Sequence, residues 1–148
     1  MGELIAGLGL SEIFLVVIGL LTAIAIPQFM QYRSQARIAQ LQSLAGTIRA
    51  AAQMSRAVYL AQNGSSSGGT VNVDDNGVAV PVTVNGSGYP IMGAGGIESA
   101  IKTLGFPTIT YDQATGIFTP DPNVLNCSVT YDPTAGDVLP AGMIVSGC

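Results

Sequence analysis

Few residues of this chain are equipped for chemistry. There is no histidine, so the commonest general base and the commonest metal ligand are both missing. No phosphate loop occurs, and no serine or cysteine has a histidine to activate it. Two cysteines, Cys127 and Cys148, stand near enough in sequence to close a loop. In an exported chain such a pair forms a disulfide, and two thiols without histidine make a poor metal set. Asp132 and Asp137 offer oxygen ligands, but their spacing matches no calcium loop. The most unusual placement is that of Glu12. It heads Ile13 to Ile26, fourteen residues without a charge. A carboxylate in an apolar segment is costly and is a functional hypothesis by default. Its natural partner is a positive group on another chain, because no Lys or Arg precedes Arg33.

The elements that must position these residues can be read from periodicity. Ile38, Leu41, Leu44, Ile48, Ala52 and Tyr59 recur at helical spacing and make one apolar stripe. One helix is predicted from about Glu12 to Gln62, broken or bent between Gly19 and Pro27. Asn63-Gly64 is its stop signal. At 1.5 Å per residue it would be ~75 Å long. Its downstream half is expected to pack on the rest of the chain. Its upstream half, apolar on all sides, needs lipid or further copies. Residues 1–62 are therefore read as an N-terminal helix and 63–148 as a globular head, joined by the linker Ser65 to Gly69.

The head reads as strands. Val78, Val80, Val82 and Val84 alternate with smaller or polar residues, and Pro81 places that strand at an edge or bulge. Val71 and Val73 precede it across the turn signal Asp75-Asn76-Gly77. Gly96 to Gly105 reads as a short amphipathic helix carrying Ile97, Ala100, Ile101 and Leu104. A small repeat follows. Thr110-Tyr-Asp-Gln-Ala-Thr-Gly116 is echoed by Thr130-Tyr-Asp-Pro-Thr-Ala-Gly136, so two hairpins are expected, each with its Asp capping its own turn. Asn63, Asn85 and Asn126 each begin an Asn-x-Ser triplet, and turns are the favoured reading of all three. The expected fold is α+β, with a long N-terminal helix covering one face of an antiparallel sheet of four to six strands.

Charge narrows the function classes. Only 9% of the residues are charged and 48% are hydrophobic, against about 25% charged in a typical soluble domain. Much of this surface is therefore expected to be covered by lipid or by copies of the chain. Four arginines and no acid lie between Gln28 and Gln62, whereas the head carries seven acids and one lysine. A basic rod on an acidic head suits contacts between copies, or the arginines simply cover a solvated helix face. The acidic head argues against nucleic acid.

The run Val16-Val-Ile-Gly19-Leu-Leu-Thr-Ala-Ile-Ala-Ile-Pro27-Gln-Phe29 resembles the N-terminal segment of type IV pilins and of type II secretion pseudopilins. The following helix and the valine-rich hairpin with Tyr89-Pro90 look most like the mannose-sensitive haemagglutinin group of pilins, over roughly Gln31 to Leu104. The cysteine loop is similar in kind to the disulfide-bounded region of many such pilins. The resemblance implies a type IV pilin fold and a structural subunit without catalysis or cofactor. Such a subunit waits in a bacterial inner membrane, is cut by a prepilin peptidase, and is assembled by a dedicated machinery into a homopolymeric helical filament at the cell surface. Glu12 then matches the glutamate that neutralises a neighbour's terminal amine. Gly19 and Pro27 match the segment that loosens in filaments. Gly7 fits the residue before the leader cleavage site, which makes Leu8 the first mature residue, although Leu8-Gly-Leu-Ser11 is not the sequence usual there. The spacing departs from the family, because Glu12 lies only fifteen residues before Pro27, fewer than the family has. If Met1 is the mature first residue, Glu3 replaces Glu12 as the assembly carboxylate. A pseudopilin is the nearest alternative, and a membrane-anchored periplasmic binding domain is the alternative from another class.

Overall fold

The computed structural model describes residues 9–62, 67–75, 77–102 and 109–148, with the backbone alone at 22–30 and 75. Glu3, Gly7, Leu8, Asn63 and Leu104 lie outside the described residues. The chain is α+β and divides into two compact units, Met1–Ala36 and Arg37–Cys148.

Helix α1 runs from Leu10 to Gln62. The Gly9 carbonyl accepts the first N–H groups, from Glu12 at 2.9 Å and Ile13 at 3.2 Å. Glu12 thus stands in the first turn, where the helix dipole favours a negative charge. Of the break or bend expected between Gly19 and Pro27, the break is absent, because the helical backbone is continuous through both residues. A proline removes a single intrahelical hydrogen bond. The Ala, Leu and Ile around it are helix-compatible and keep the others.

The unit boundary falls where α1 starts to bury side chains. From Leu41 onward, Leu44, Ala45, Ile48, Ala51, Ala52 and Tyr59 are all buried, and Ile38 is packed beside them. This is the predicted stripe, with one polar addition. Ser55 is fully buried on it, and its hydroxyl donates to the Ala51 carbonyl at 2.9 Å. Burial without a partner would cost about 1–3 kcal/mol, and this bond avoids that.

Strands β1 (Gly69–Asp75) and β2 (Val78–Val84) form the expected hairpin, with Val71 opposite Val82 and Val73 opposite Val80. Val71, Val73, Val82 and Val84 face the core. The hairpin is a sheet of its own, however, and not part of one larger sheet. The reason lies on the outer edge of β2. There Thr83 N–H donates to Gly95 at 2.8 Å, Ile91 N–H donates to Thr83 at 3.1 Å, and Val84 bridges Pro90. That edge is occupied, so β3 pairs elsewhere. Pro81, exposed and opposite Asn72, sits in a two-stranded sheet in which each strand is an edge.

Helix α2 (Ile97–Lys102) buries Ile97, Ala100 and Ile101. Beyond it, β3 (Thr110–Asp112), β4 (Ile117–Thr119), β5 (Ser128–Asp132) and β6 (Asp137–Ile144) form an antiparallel sheet in sequence order. The two repeats are its two equivalent turns. Gly116 N–H donates to the Asp112 carbonyl and Gly136 N–H to the Asp132 carbonyl, both at 2.9 Å. The Asp112 carboxylate accepts Ala114 N–H at 3.0 Å, and the Asp132 carboxylate accepts Thr134 N–H at 2.8 Å.

Two tyrosines of this sheet hold the segment that blocks β2. Tyr131 donates to the Pro90 carbonyl at 2.9 Å, and Tyr111 donates to the Met92 carbonyl at 2.6 Å. The Tyr111 phenol is pushed up to about 12, first by burial and then by the charges of Glu98 and Asp112, so it stays a donor at neutral pH. Cys127 and Cys148 are disulfide-bonded, 5.0 Å apart at Cα, and both are buried. Cys148→Ser is expected to lower unfolding stability by roughly 3 kcal/mol, by chain-entropy arguments. Urea melts of the two forms check this.

Candidate assembly site

The upstream part of α1 presents large apolar side chains in every direction. Leu10 is 84% exposed, Phe14 69% and Leu15 70%, and Val16, Val17, Ile18, Leu20 and Leu21 are exposed as well. Burying one such side chain contributes roughly 1.5–3 kcal/mol, so a run of this kind acts as a strong contact surface. Glu12 is exposed at its start. Gly19 lies within it, and a Cβ added there would meet nothing within 4 Å. Pro27 is helical in backbone. These three sites lie along one helix and are not gathered into a pocket. Among the described residues, no helix is long and apolar enough to cross a membrane.

Several arginines of α1 have partners within the chain: Arg37, Arg49 and Arg56 bind groups of its own. Arg37 lies 3.9 Å from the Asp121 carboxylate and donates to the Cys148 carbonyl at 3.5 Å. Arg49 pairs with Asp137. Arg56 hydrogen-bonds the Tyr89 hydroxyl and lies over that ring, 4.8 Å from its centre. Sequence reasoning found the charges but not these partners, which stand 33 to 111 residues away along the chain. A second missed residue is Asn85. Its side chain accepts Ser87 N–H at 2.9 Å and Tyr89 N–H at 3.0 Å, and donates to the Pro133 carbonyl at 2.6 Å. It ties the turn after β2 to the turn before β6. Its place in an Asn-Gly pair announced a turn; the bond to Pro133 left no local signal.

Among the described residues, no three His, Cys, Asp or Glu side chains gather as a metal site. A cavity of about 270 Å³ lies beside Cys127, lined by Thr110, Ile117, Thr119, Val124, Leu125 and Asn126 among others, all uncharged. It holds no acid or base for proton transfer.

The aspartates at these turns are expected to make the head sensitive to acid. The Thr115 hydroxyl holds Asp112 below the usual carboxylate range, the Thr134 hydroxyl does the same for Asp132, and the Arg49 hydrogen bond does so for Asp137. A depressed folded pKa means that the ionised form stabilises the fold. That contribution is complete above the unfolded value near 4 and is lost as pH falls through the lower folded values. Stability from urea melts is therefore expected to be flat from pH 7 to about 5 and to fall below about 4. Asp112→Asn and Asp132→Asn are expected to weaken that fall.

Comparison of the chain with protein-family models, with characterised proteins and with solved structures returned no significant match.

Proposed function

We propose that this chain is a structural subunit that polymerises, as a type IV pilin does, into a helical surface filament. The observation that carries the reading is the contrast along α1. Its downstream half is spent on the core of the head, while residues 10–21 expose a nearly uninterrupted apolar surface headed by Glu12. A surface of that size marks an interaction site. Bundling these helices in a filament core covers it with copies of itself. The heads then form the outer wall, where the disulfide and the capped turns suit exposure.

The proposal includes the rest of what the resemblance implies. The chain waits at the inner membrane, is processed by a prepilin peptidase, and is delivered to the cell surface by an assembly machinery. It catalyses nothing and needs no cofactor. The disulfide favours the pilin reading over the pseudopilin one, whose members usually lack a C-terminal cysteine pair. Negative-stain microscopy of material sheared from cells that make the chain and the machinery is the test. Thin fibres containing the chain support the proposal. Released single subunits under the same conditions would oppose it.

A further inference from the structure

Three asparagines of this chain precede a glycine, at Asn63-Gly64, Asn76-Gly77 and Asn85-Gly86. Such a pair suits attack of the backbone on the side chain, because glycine has no Cβ to hinder close approach. The glycine nitrogen attacks the asparagine Cγ, and a cyclic imide forms. The Cγ–Nδ2 bond breaks, and the amide leaves as ammonia with the proton of the glycine N–H. Water then opens the imide at either carbonyl and leaves aspartate or its backbone-shifted isomer, isoaspartate. In balance, one water is consumed and one ammonia released for each carboxylate made.

Asn85 follows the end of β2, and its polar groups are held on every side. Its N–H donates to the Tyr89 carbonyl at 2.8 Å, and its carbonyl accepts Gly88 N–H at 2.9 Å. Its Oδ1 accepts Ser87 N–H at 2.9 Å and Tyr89 N–H at 3.0 Å, and its Nδ2 donates to the Pro133 carbonyl at 2.6 Å. The backbone beside it is held as well. The Tyr59 hydroxyl donates to the Gly86 carbonyl at 3.5 Å. Gly88, at φ +83, packs so closely on Tyr59 that an added Cβ would lie 2.5 Å from its ring. Gly86 itself is exposed, so water for the hydrolysis is at hand. For the imide to close, Cγ must turn toward the Gly86 nitrogen, and the three side-chain bonds must break. Each such bond lowers the released population by a few-fold to about tenfold.

We propose that Asn85 is a latent self-modification site: the closed head keeps it an amide, and opening of the head allows Gly86 to convert it to aspartate or isoaspartate. The proposal stands on the head alone and not on the filament reading. The conversion runs one way, because the ammonia is lost. A carboxylate has no donor, so the bond to Pro133 goes with it and two acceptors face each other there. The turn after β2 is then released from the turn before β6. Isoaspartate also lengthens the backbone at that point by a methylene. A head that has opened is thereby marked and kept from closing fully.

The test is peptide mapping by tandem mass spectrometry of the whole disulfide-bonded chain, kept in mildly alkaline buffer with or without concentrated guanidinium chloride. Asn63-Gly-Ser65 repeats the triplet Asn85-Gly-Ser87 and is the reference for the unfolded rate. In denaturant the two sites are expected to convert at similar rates. In buffer Asn85 is expected to convert about 10-fold or more slowly than in denaturant. Asn85 converting as fast in buffer as in denaturant overturns the proposal. A slow Asn85 beside a fast Asn63 in denaturant would place the protection outside the fold and overturns it too. Asn85→Asp tests the consequence. Its urea midpoint at neutral pH is expected to fall below that of wild type. An unchanged midpoint would mean that conversion leaves the head closed, which overturns the one-way mark.

Discussion

Chains carrying Glu12→Ala are expected to fold normally and to yield no fibres. The carboxylate is exposed in the isolated subunit, on the first turn of α1. Its contribution to folding is the interaction with the helix dipole, about 0.3–1 kcal/mol at most. Assembly changes its surroundings. In the proposed filament residues 10–21 lie against other copies, and the cation that faces Glu12 is removed from water with it. Deleting the acid leaves that cation buried without a counter-charge, which costs about 3–5 kcal/mol per contact. A loss of that size weakens each contact by roughly 10²–10⁴-fold, and a filament repeats the loss at every subunit. Glu12→Gln keeps the shape but not the charge, and is expected to fail in the same way. The readouts are separable. Thermal melts of the monomer report folding, and fibre yield by sedimentation reports assembly. Normal fibres from Glu12→Ala would remove Glu12 from the mechanism.

The second large effect is expected inside the head. Gly136 has φ +64, and a Cβ built on it would lie 2.0 Å from Cδ1 of Tyr89. Alanine there incurs the left-handed backbone penalty of roughly 1–2 kcal/mol. It also overpacks against an aromatic ring, which costs typically 1–3 kcal/mol more. Tyr89 cannot yield cheaply, because its hydroxyl and its ring face are both held by Arg56. Gly136→Ala is therefore expected to destabilise the head by roughly 3 kcal/mol. Gly77→Ala is the control. Gly77 has φ +84, but nothing lies within 4 Å of its added Cβ. Only the backbone penalty of roughly 1–2 kcal/mol is expected there. Urea melts of both variants measure the difference. Equal losses would mean that contact with Tyr89 does not matter.

How far the fold was legible depended on how local each interaction is. The α1 stripe from Ile38 to Tyr59 could be read because helical period and burial coincide over many residues. Asp112 and Asp132 could be read as turn caps because each bonds its own backbone two residues on. The β1–β2 hairpin was legible from valine alternation and a Gly turn. The division into two sheets was not. It depends on Tyr89 to Gly96 occupying the edge of β2, and on Tyr111 and Tyr131 holding that segment in place. Neither relation leaves a periodic mark. The arginine partners were hidden for the same reason. Arg49 finds Asp137 across 88 positions, and composition reports only that both charges exist. Gly19 to Pro27 was read as a break or a bend from its residue types alone, and the helix runs through it unbroken because one missing donor leaves the other hydrogen bonds in place.

The candidate site divides along the same line. Glu12 stood out because acids are scarce, with Glu3 its only companion before Asp74. The cysteine pair was legible because two cysteines permit one intrachain pairing. What covers residues 10–21 was not legible as a contact, because in the filament reading the partner surface belongs to another copy of the same sequence.

Helical reconstruction of the proposed fibres tests the account most directly. The account predicts that residues 10–21 of every subunit form the filament core, with helices parallel and Glu12 removed from solvent, and that the disulfide-bonded heads lie outside. A fibre built from head-to-head contacts, with residues 10–21 still facing solvent, would contradict it.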